Sequence, residues 1–246
     1  GVPVNKETLE RFLAEIQEAK EPPPNVTPSS ADVRDKENYI ILEGRQHGNY
    51  SYGDLIVAMD RTNKNKTWQQ TWDALRQEDA FMLTIRQYVD FLNLLKSGKA
   101  FDGNERQIPG SKLDEIFKDI VEVRSPLRGE WLDAKFSKGK VRNAGLVIGY
   151  HVLEPNGNLK EVTELLGGCL MSDKTPGIDL DYWLANANEW GLPPANIPDG
   201  TLYYLFPQDG KVAGFLAISD WANLNCDGYP ANMYDWLGVR AARAKK

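Results

Sequence analysis

Apolar positions recur with a helical period at five places in the chain. Leu9, Phe12, Leu13 and Ile16 fall at i, i+3, i+4 and i+7 and predict a helix over 5–20, with Thr8 able to cap its start. Trp72 and Leu75 share one face of a helix over 69–77. Ile85, Val89, Leu92 and Leu95 form one stripe over 84–96, and Gly98 stops it. Leu113, Ile116, Phe117 and Ile120 line a helix over 111–121, with Ser111 as cap and Asp114 three residues on. Leu180, Trp183, Leu184 and Ala187 line another over 179–190, capped by Asp179 and ended by Gly191 and Pro193-Pro194.

Between these stripes the pattern is that of strands. Short apolar runs occur at 39–42 and 52–59, then at 131–136 and 145–153. The turn formers Glu154-Pro155-Asn156-Gly157-Asn158 join 145–153 to 159–162 as a hairpin with a five-residue loop. Strands also fit 202–206, 212–218 and, as a closing strand, Leu237–Arg243. Helices and hairpins mix without βαβ regularity, so the fold class is α+β. Glu21 to Ser30 carries four prolines, which remove donors and fix φ, and reads as an extended linker. The chain therefore divides into a helix and linker over 1–37 and a domain over 38–246.

The segment after residue 200 behaves differently. Tyr203, Tyr204, Phe206, Phe215, Trp221, Tyr229, Tyr234 and Trp236 make it denser in aromatics than the rest of the chain. Much of it reads as loop, notably 207–210, 219–220, 223–228 and 230–232. Trp221, Tyr229, Met233, Tyr234 and Trp236 fit neither strand nor helix period. Large amphipathic side chains on irregular backbone are the composition of recognition surfaces. A loop-rich corner of the core accounts for the same residues equally well on pattern alone.

Charge narrows the function. The chain has 246 residues with 29 basic and 35 acidic side chains, a net charge of −6. That balance opposes binding to nucleic acid through bulk charge, which needs clustered Lys and Arg. No apolar run reaches the length of a transmembrane span, and no signal peptide stands out, although Gly1 in place of Met fits a processed end. Two cysteines are too few for a disulfide scaffold.

The tail also carries a resemblance. It reads Gly210-Lys211-Val212-Ala213-Gly214-Phe215-Leu216-Ala217-Ile218-Ser219-Asp220-Trp221-Ala222-Asn223-Leu224-Asn225-Cys226, then Pro230, then Leu237-Gly238-Val239-Arg240-Ala241-Ala242-Arg243. In this order it resembles the variable proteins of diversity-generating retroelements, most of all their archaeal and small-genome branch. The runs 41–47, 77–84 and 170–178 are similar to the same branch, so the likeness spans about 38–246. It implies a C-type-lectin-like fold of the formylglycine-generating-enzyme type. It also implies a segment, 202–240, that adenine mutagenesis rewrites to present a changing surface to a macromolecular ligand, most naturally a protein. The framework positions it implies are Pro207, Val212, Ala213, Phe215, Ala217, Ser219, Asp220, Ala222, Leu224, Cys226, Pro230 and Leu237–Arg243. The implied ligand-contacting positions are Leu205, Phe206, Gln208, Gly214, Leu216, Ile218, Trp221, Asn223, Asp227, Gly228, Tyr229, Ala231, Met233, Tyr234, Asp235 and Trp236. Trp221, Tyr229, Tyr234 and Trp236 are the expected anchors.

Other chemistry is weaker. Glu154-Pro155-Asn156 resembles the sugar motif of calcium-dependent lectins, but the Trp-Asn-Asp partner is missing: Trp221-Ala222-Asn223 lies far along the chain. Cys169 and Cys226 admit a formylglycine-generating type of enzyme, which would need a reactive thiol. His47 and His151 are the only histidines, and no spacing suits zinc, a catalytic triad or a phosphate loop. The expectation is a non-enzymatic binding protein with no cofactor and no metal. An oligomerising helix at Leu9–Ile16 would suit the tip of a fibre or surface appendage. Oligomeric state, ligand identity and a place in the cell, on a surface or on a virion are left open.

Overall fold

A computed structural model describes residues 34–140, 145–218 and 220–246, apart from the side chain of Thr175. The chain divides into two units, 1–32 and 33–246, and all the described residues belong to the second. The helix expected over 5–20 and the proline-rich linker lie outside the described residues, as do Val141, Arg142 and Ser219.

The fold is α+β, with fourteen strands and four α-helices among the described residues. The strands are β1 (Tyr39–Leu42), β2 (Arg45–His47), β3 (Tyr50–Tyr52), β4 (Leu55–Ala58), β5 (Phe81–Met82), β6 (Arg128–Lys138) and β7 (Leu146–Leu153). They continue as β8 (Leu159–Leu165), β9 (Lys174–Ile178), β10 (Leu202–Leu205), β11 (Val212–Ala217), β12 (Ala222–Gly228), β13 (Leu237–Gly238) and β14 (Ala241–Ala244). The helices are α1 (Trp68–Gln77), α2 (Ile85–Ser97), α3 (Gly110–Val121) and α4 (Leu180–Asn186).

Helix starts follow their caps. Thr67 and Thr84 each accept the backbone N–H of the residue three on, and Gln70 and Gln87 return a bond to the cap, closing two capping boxes. Gly98 ends α2 in the left-handed conformation, as its position predicts. Ser111, the expected cap of α3, lies inside that helix. The N-cap is Pro109, which offers no side-chain bond, and Gly110 is already helical. Asp179 caps α4 through Tyr182, but that helix stops at Asn186 instead of running to Trp190. Asn188 is the reason: its Oδ1 accepts the N–H groups of Trp190 and Leu192 and turns the chain.

Three sheets form among the described residues, the two-stranded hairpin β2-β3 and two larger ones. One has the order β1-β4-β14-β5. The other runs β8-β7-β6-β11-β12-β10-β9, with β13 also pairing β6. The β7–β8 hairpin closes with Leu153 opposite Leu159, as predicted, and β8 runs on to Leu165. The expected single strand over 52–59 is instead the end of β3 and the whole of β4. The closing strand over 237–243 is likewise two strands. Its first part pairs in parallel with β6, and its second part inserts between β4 and β5.

The expected loop over 223–228 is the strand β12. Its alternation is real but faint: Ala222, Leu224 and Cys226 are buried, the residues between them are Asn223 and Asn225, and Asp227 follows. Tyr204, Leu224, Phe215 and Glu130 are register partners across four strands and face the core. Phe215 stacks against Trp183 of α4, with ring centroids 6.2 Å apart, and meets Tyr88 of α2 at 5.6 Å. Each such fully buried aromatic contributes about 1.5–3 kcal/mol of transfer free energy. No helix among the described residues is long and apolar enough to cross a membrane.

Candidate functional site

The face of the large sheet that alternates with Tyr204, Leu224, Phe215 and Glu130 is built from residues of β10, β12, β11 and β6, of which Gly129, Trp131, Gly214 and Asn223 are buried. Tyr203, Asn223, Leu216 and Gly129 form one row of register partners, and Leu205, Asn225, Gly214 and Trp131 form the next. Residues 229–236 leave β12 and pass to β13 without regular structure of their own.

This irregular stretch is fixed by its backbone. Trp68 donates its N–H to the Pro230 carbonyl at 3.1 Å, Asn65 to that of Tyr234 at 3.0 Å, and Gly129 to that of Trp236 at 3.1 Å. The Trp131 indole donates to the Lys66 carbonyl at 3.2 Å, tying the underlying strand to the same neighbouring loop. A backbone anchored along its length holds its side chains at little further entropy cost.

The aromatics on this face are ordered by one another. Tyr234 stacks on Trp236 with centroids 4.9 Å apart and planes within 7°. Tyr203 stacks on Trp221 at the same separation and within 8°. The Lys211 ammonium sits 3.0 Å from the centre of the Tyr229 ring and 3.2 Å from the Asp227 carboxylate. Burial opposes the charge on Lys211, but Tyr229 and Asp227 outweigh it and hold its pKa above the ordinary value.

The sixteen expected contact residues divide by depth. Tyr229, Ala231, Met233, Tyr234 and Asp235 are exposed. Leu205, Phe206, Gln208, Leu216, Ile218, Trp221, Asp227, Gly228 and Trp236 are half-buried. Gly214 and Asn223 are buried, contrary to the expectation that these positions face a ligand. Gly214 is covered because a Cβ there would lie 3.2 Å from the Glu130 carbonyl and 3.7 Å from the Trp131 ring. Asn223 lies in the row between Tyr203 and Leu216, and its Oδ1 has no hydrogen-bond partner among the described residues.

The expected framework positions fall the other way. Pro207, Val212, Ala213, Phe215, Ala217, Ala222, Leu224, Cys226 and Leu237 to Ala242 are buried. Pro230 and Arg243 are half-buried, and Asp220 is exposed. Three parts of the surface escape the sequence reading: Tyr203, Lys211 and Asn225. The signal was available for two of them, since Tyr203 alternates with Leu205, and Asn225 with Asn223 and Asp227.

The other motifs have structural roles. Glu154 to Asn158 form the β7–β8 turn, where Asn156 Oδ1 accepts the Asn158 N–H at 2.9 Å. Cys169 and Cys226 are buried free thiols. Burial pushes the Cys169 thiol up to about 11 and Cys226 well above its ordinary value, which withholds the thiolate that nucleophilic chemistry needs. His151 donates its backbone N–H to the buried Asp133 at 2.7 Å, and its Nδ1 lies 3.0 Å from the same carboxylate. Among the described residues no group of three or more His, Cys, Asp or Glu is placed to hold a metal ion. No family model matches the chain, and neither a curated protein nor a solved structure matches it.

Proposed function

We propose that this protein is a binding module of C-type-lectin-like fold whose segment 202–240 is a diversified recognition surface for a macromolecular ligand, most naturally a protein. The observation that carries the reading is the division of that segment by depth. Fourteen of the sixteen positions that the resemblance marks as changeable are exposed or half-buried, while its apolar framework positions other than Pro230 are buried. Substitutions at such surface positions leave stability within about 0.5 kcal/mol, so many side chains suit one scaffold. Two stacked aromatic pairs and the Lys211–Tyr229 contact supply rigid, amphipathic anchors of the kind that dominate interface energetics.

The test is genetic. The DNA flanking the gene should contain a reverse transcriptase and a near-copy of the codons for 202–240 that differs from them only where the copy has adenine. The absence of both would overturn the retroelement reading. A near-copy with mismatches at other bases would do the same.

A further inference from the structure

The large sheet ends on one side at β8, and that edge is open. Its pairing with β7 runs without a register shift from Leu159 opposite Leu153 to Leu165 opposite Val147. At the two ends of this hairpin Glu154 donates its N–H to the Asn158 carbonyl, and Leu166 to the Leu146 carbonyl, both at 2.8 Å. Backbone direction alternates along an antiparallel strand, so the even-numbered residues of β8 turn their N–H and C=O groups toward β7. Leu159, Glu161, Thr163 and Leu165 turn theirs outward, where none of the described residues pairs with them.

An open edge is a template for another strand, and proteins usually blunt it with proline, a bulge or unmatched charge. The opposite edge of the same sheet does so: β9 carries Pro176, which has no N–H, and Gly177 at φ +145°. In the small sheet β1 is covered, since Ile41 donates to the Phe101 carbonyl at 2.9 Å. Strand β8 has no proline, glycine or bulge. It also carries Leu165, 63% exposed and the most exposed large apolar side chain among the described residues.

The side chains of β8 specify what covers it. The outward backbone groups sit on odd-numbered residues, so an antiparallel copy of the strand must set odd against odd. With a two-fold axis at Val162, Glu161 faces Thr163 of the partner subunit, and Leu159 faces Leu165 of the partner subunit. Lys160 then faces Glu164 of the partner subunit, which gives an opposite-charge pair on each side of the axis. Lys160 has no ion pair among the described residues, and Glu164, which accepts the Trp190 indole N–H at 2.5 Å, keeps further acceptor capacity. Moving the axis to Glu161 sets two like carboxylates against each other. Moving it to Thr163 sets Val162 against Glu164 and Glu161 against Leu165.

We propose that β8 is a homodimer interface: two copies of this chain pair edge to edge, antiparallel about Val162, and join their large sheets into one. Strands β7 and β6 separate β8 from β11, so the pairing uses none of the proposed recognition segment and does not depend on that reading.

The experiment is sedimentation equilibrium of the full chain, with the mass rising toward twice 27.7 kDa as concentration increases toward about 1 mM. Thr163→Pro removes an outward N–H and no bond to β7, and leaves a folded monomer. Lys160→Glu, at an exposed side chain, keeps the far-UV circular dichroism and weakens dimerisation several-fold, because both symmetric pairs become like-charged. Val162→Cys, mildly oxidised, forms a disulfide-linked dimer, since directly opposed residues of a non-hydrogen-bonded pair have Cα atoms about 4.5 Å apart. Thr163→Cys, off the axis, does not. Lys160→Glu and the cysteine variants decide the question where the proline variant does not fold. A single-chain mass at every concentration would overturn the proposal. So would a dimer that the folded variants leave intact, which is held elsewhere, or crosslinking at Thr163→Cys in place of Val162→Cys.

Discussion

Glu130 and Arg240 form an ion pair inside the protein, with Arg240 Nε 3.0 Å from Glu130 Oε2 and the two side chains 3% and 1% exposed. Tyr88 Oη donates to the other carboxylate oxygen at 2.8 Å, and Arg240 also donates to the Ala58 and Met59 carbonyls. Burial opposes the charge on Arg240, yet Glu130 and Tyr88 more than offset it and hold the guanidinium pKa above its ordinary value. The pair explains why the last part of the chain changes sheets: Arg240, between β13 and β14, must turn inward to reach β6. Removing Arg240 leaves the buried Glu130 carboxylate only the more distant Arg61, 3.9 Å away. Arg240→Met should therefore cost about 3–5 kcal/mol by urea denaturation, and the double variant Glu130→Leu/Arg240→Met clearly less than the sum of the single changes.

Asp133 should tie stability to pH in the unusual direction. Burial raises its carboxyl above the ordinary 3.8, against the His151 bonds that lower it. A group whose folded pKa is raised contributes stability below its unfolded pKa, and loses it as pH rises through the folded value. The unfolding free energy of the wild type minus that of Asp133→Asn should thus fall as pH rises above about 4, and then level off. Denaturation of both proteins across that range measures it, and a difference that rises with pH would contradict the structure.

The two thiols should be silent in the folded protein. With Cys169 at about 11, roughly one thiol in a thousand is ionised at pH 8. Iodoacetamide should label neither cysteine of the native protein at a useful rate and both in urea. Rapid native labelling of either would revive the enzyme alternative.

Stability should separate the proposed recognition surface from its support. Tyr229→Ala and Tyr234→Ala, at exposed rings, should each change unfolding free energy by less than about 1 kcal/mol. Phe215→Ala, one strand away and 1% exposed, should cost about 3–5 kcal/mol. Similar costs at all three positions would mean that the aromatics of 229–236 belong to the core.

Much of the fold is legible wherever one periodicity dominates. The stripe of Ile85, Val89, Leu92 and Leu95 places α2 within a residue at its start, because Thr84 and Gly98 punctuate it on both sides. Legibility fails where a residue answers to distant partners. Strand β12 hides because its outward residues are Asn and Asp, which favour turns in isolation and are held extended here by β10 and β11. The closing strand hides its break because Val239-Arg240 reads as ordinary strand until Glu130 is seen beneath it. The surface was legible as composition, in aromatics off any period. Their pairing was not, since Tyr203 meets Trp221 only after β10 and β12 align in parallel. His47 reads as solitary for a similar reason: its carboxylate comes from a helix beyond four intervening elements.

The position of β14 gives the molecule a built-in test of reading frame. This strand, encoded downstream of the segment proposed to be rewritten, is an interior member of its sheet, bonded to β4 on one side and β5 on the other. A stop codon or frameshift introduced anywhere in 202–240 removes it and leaves the edges of β4 and β5 with unpaired backbone groups. Under the proposed diversification, truncated products would therefore lack the strand that completes this sheet. The proposed surface would thus be presented only by chains translated in frame through Ala244.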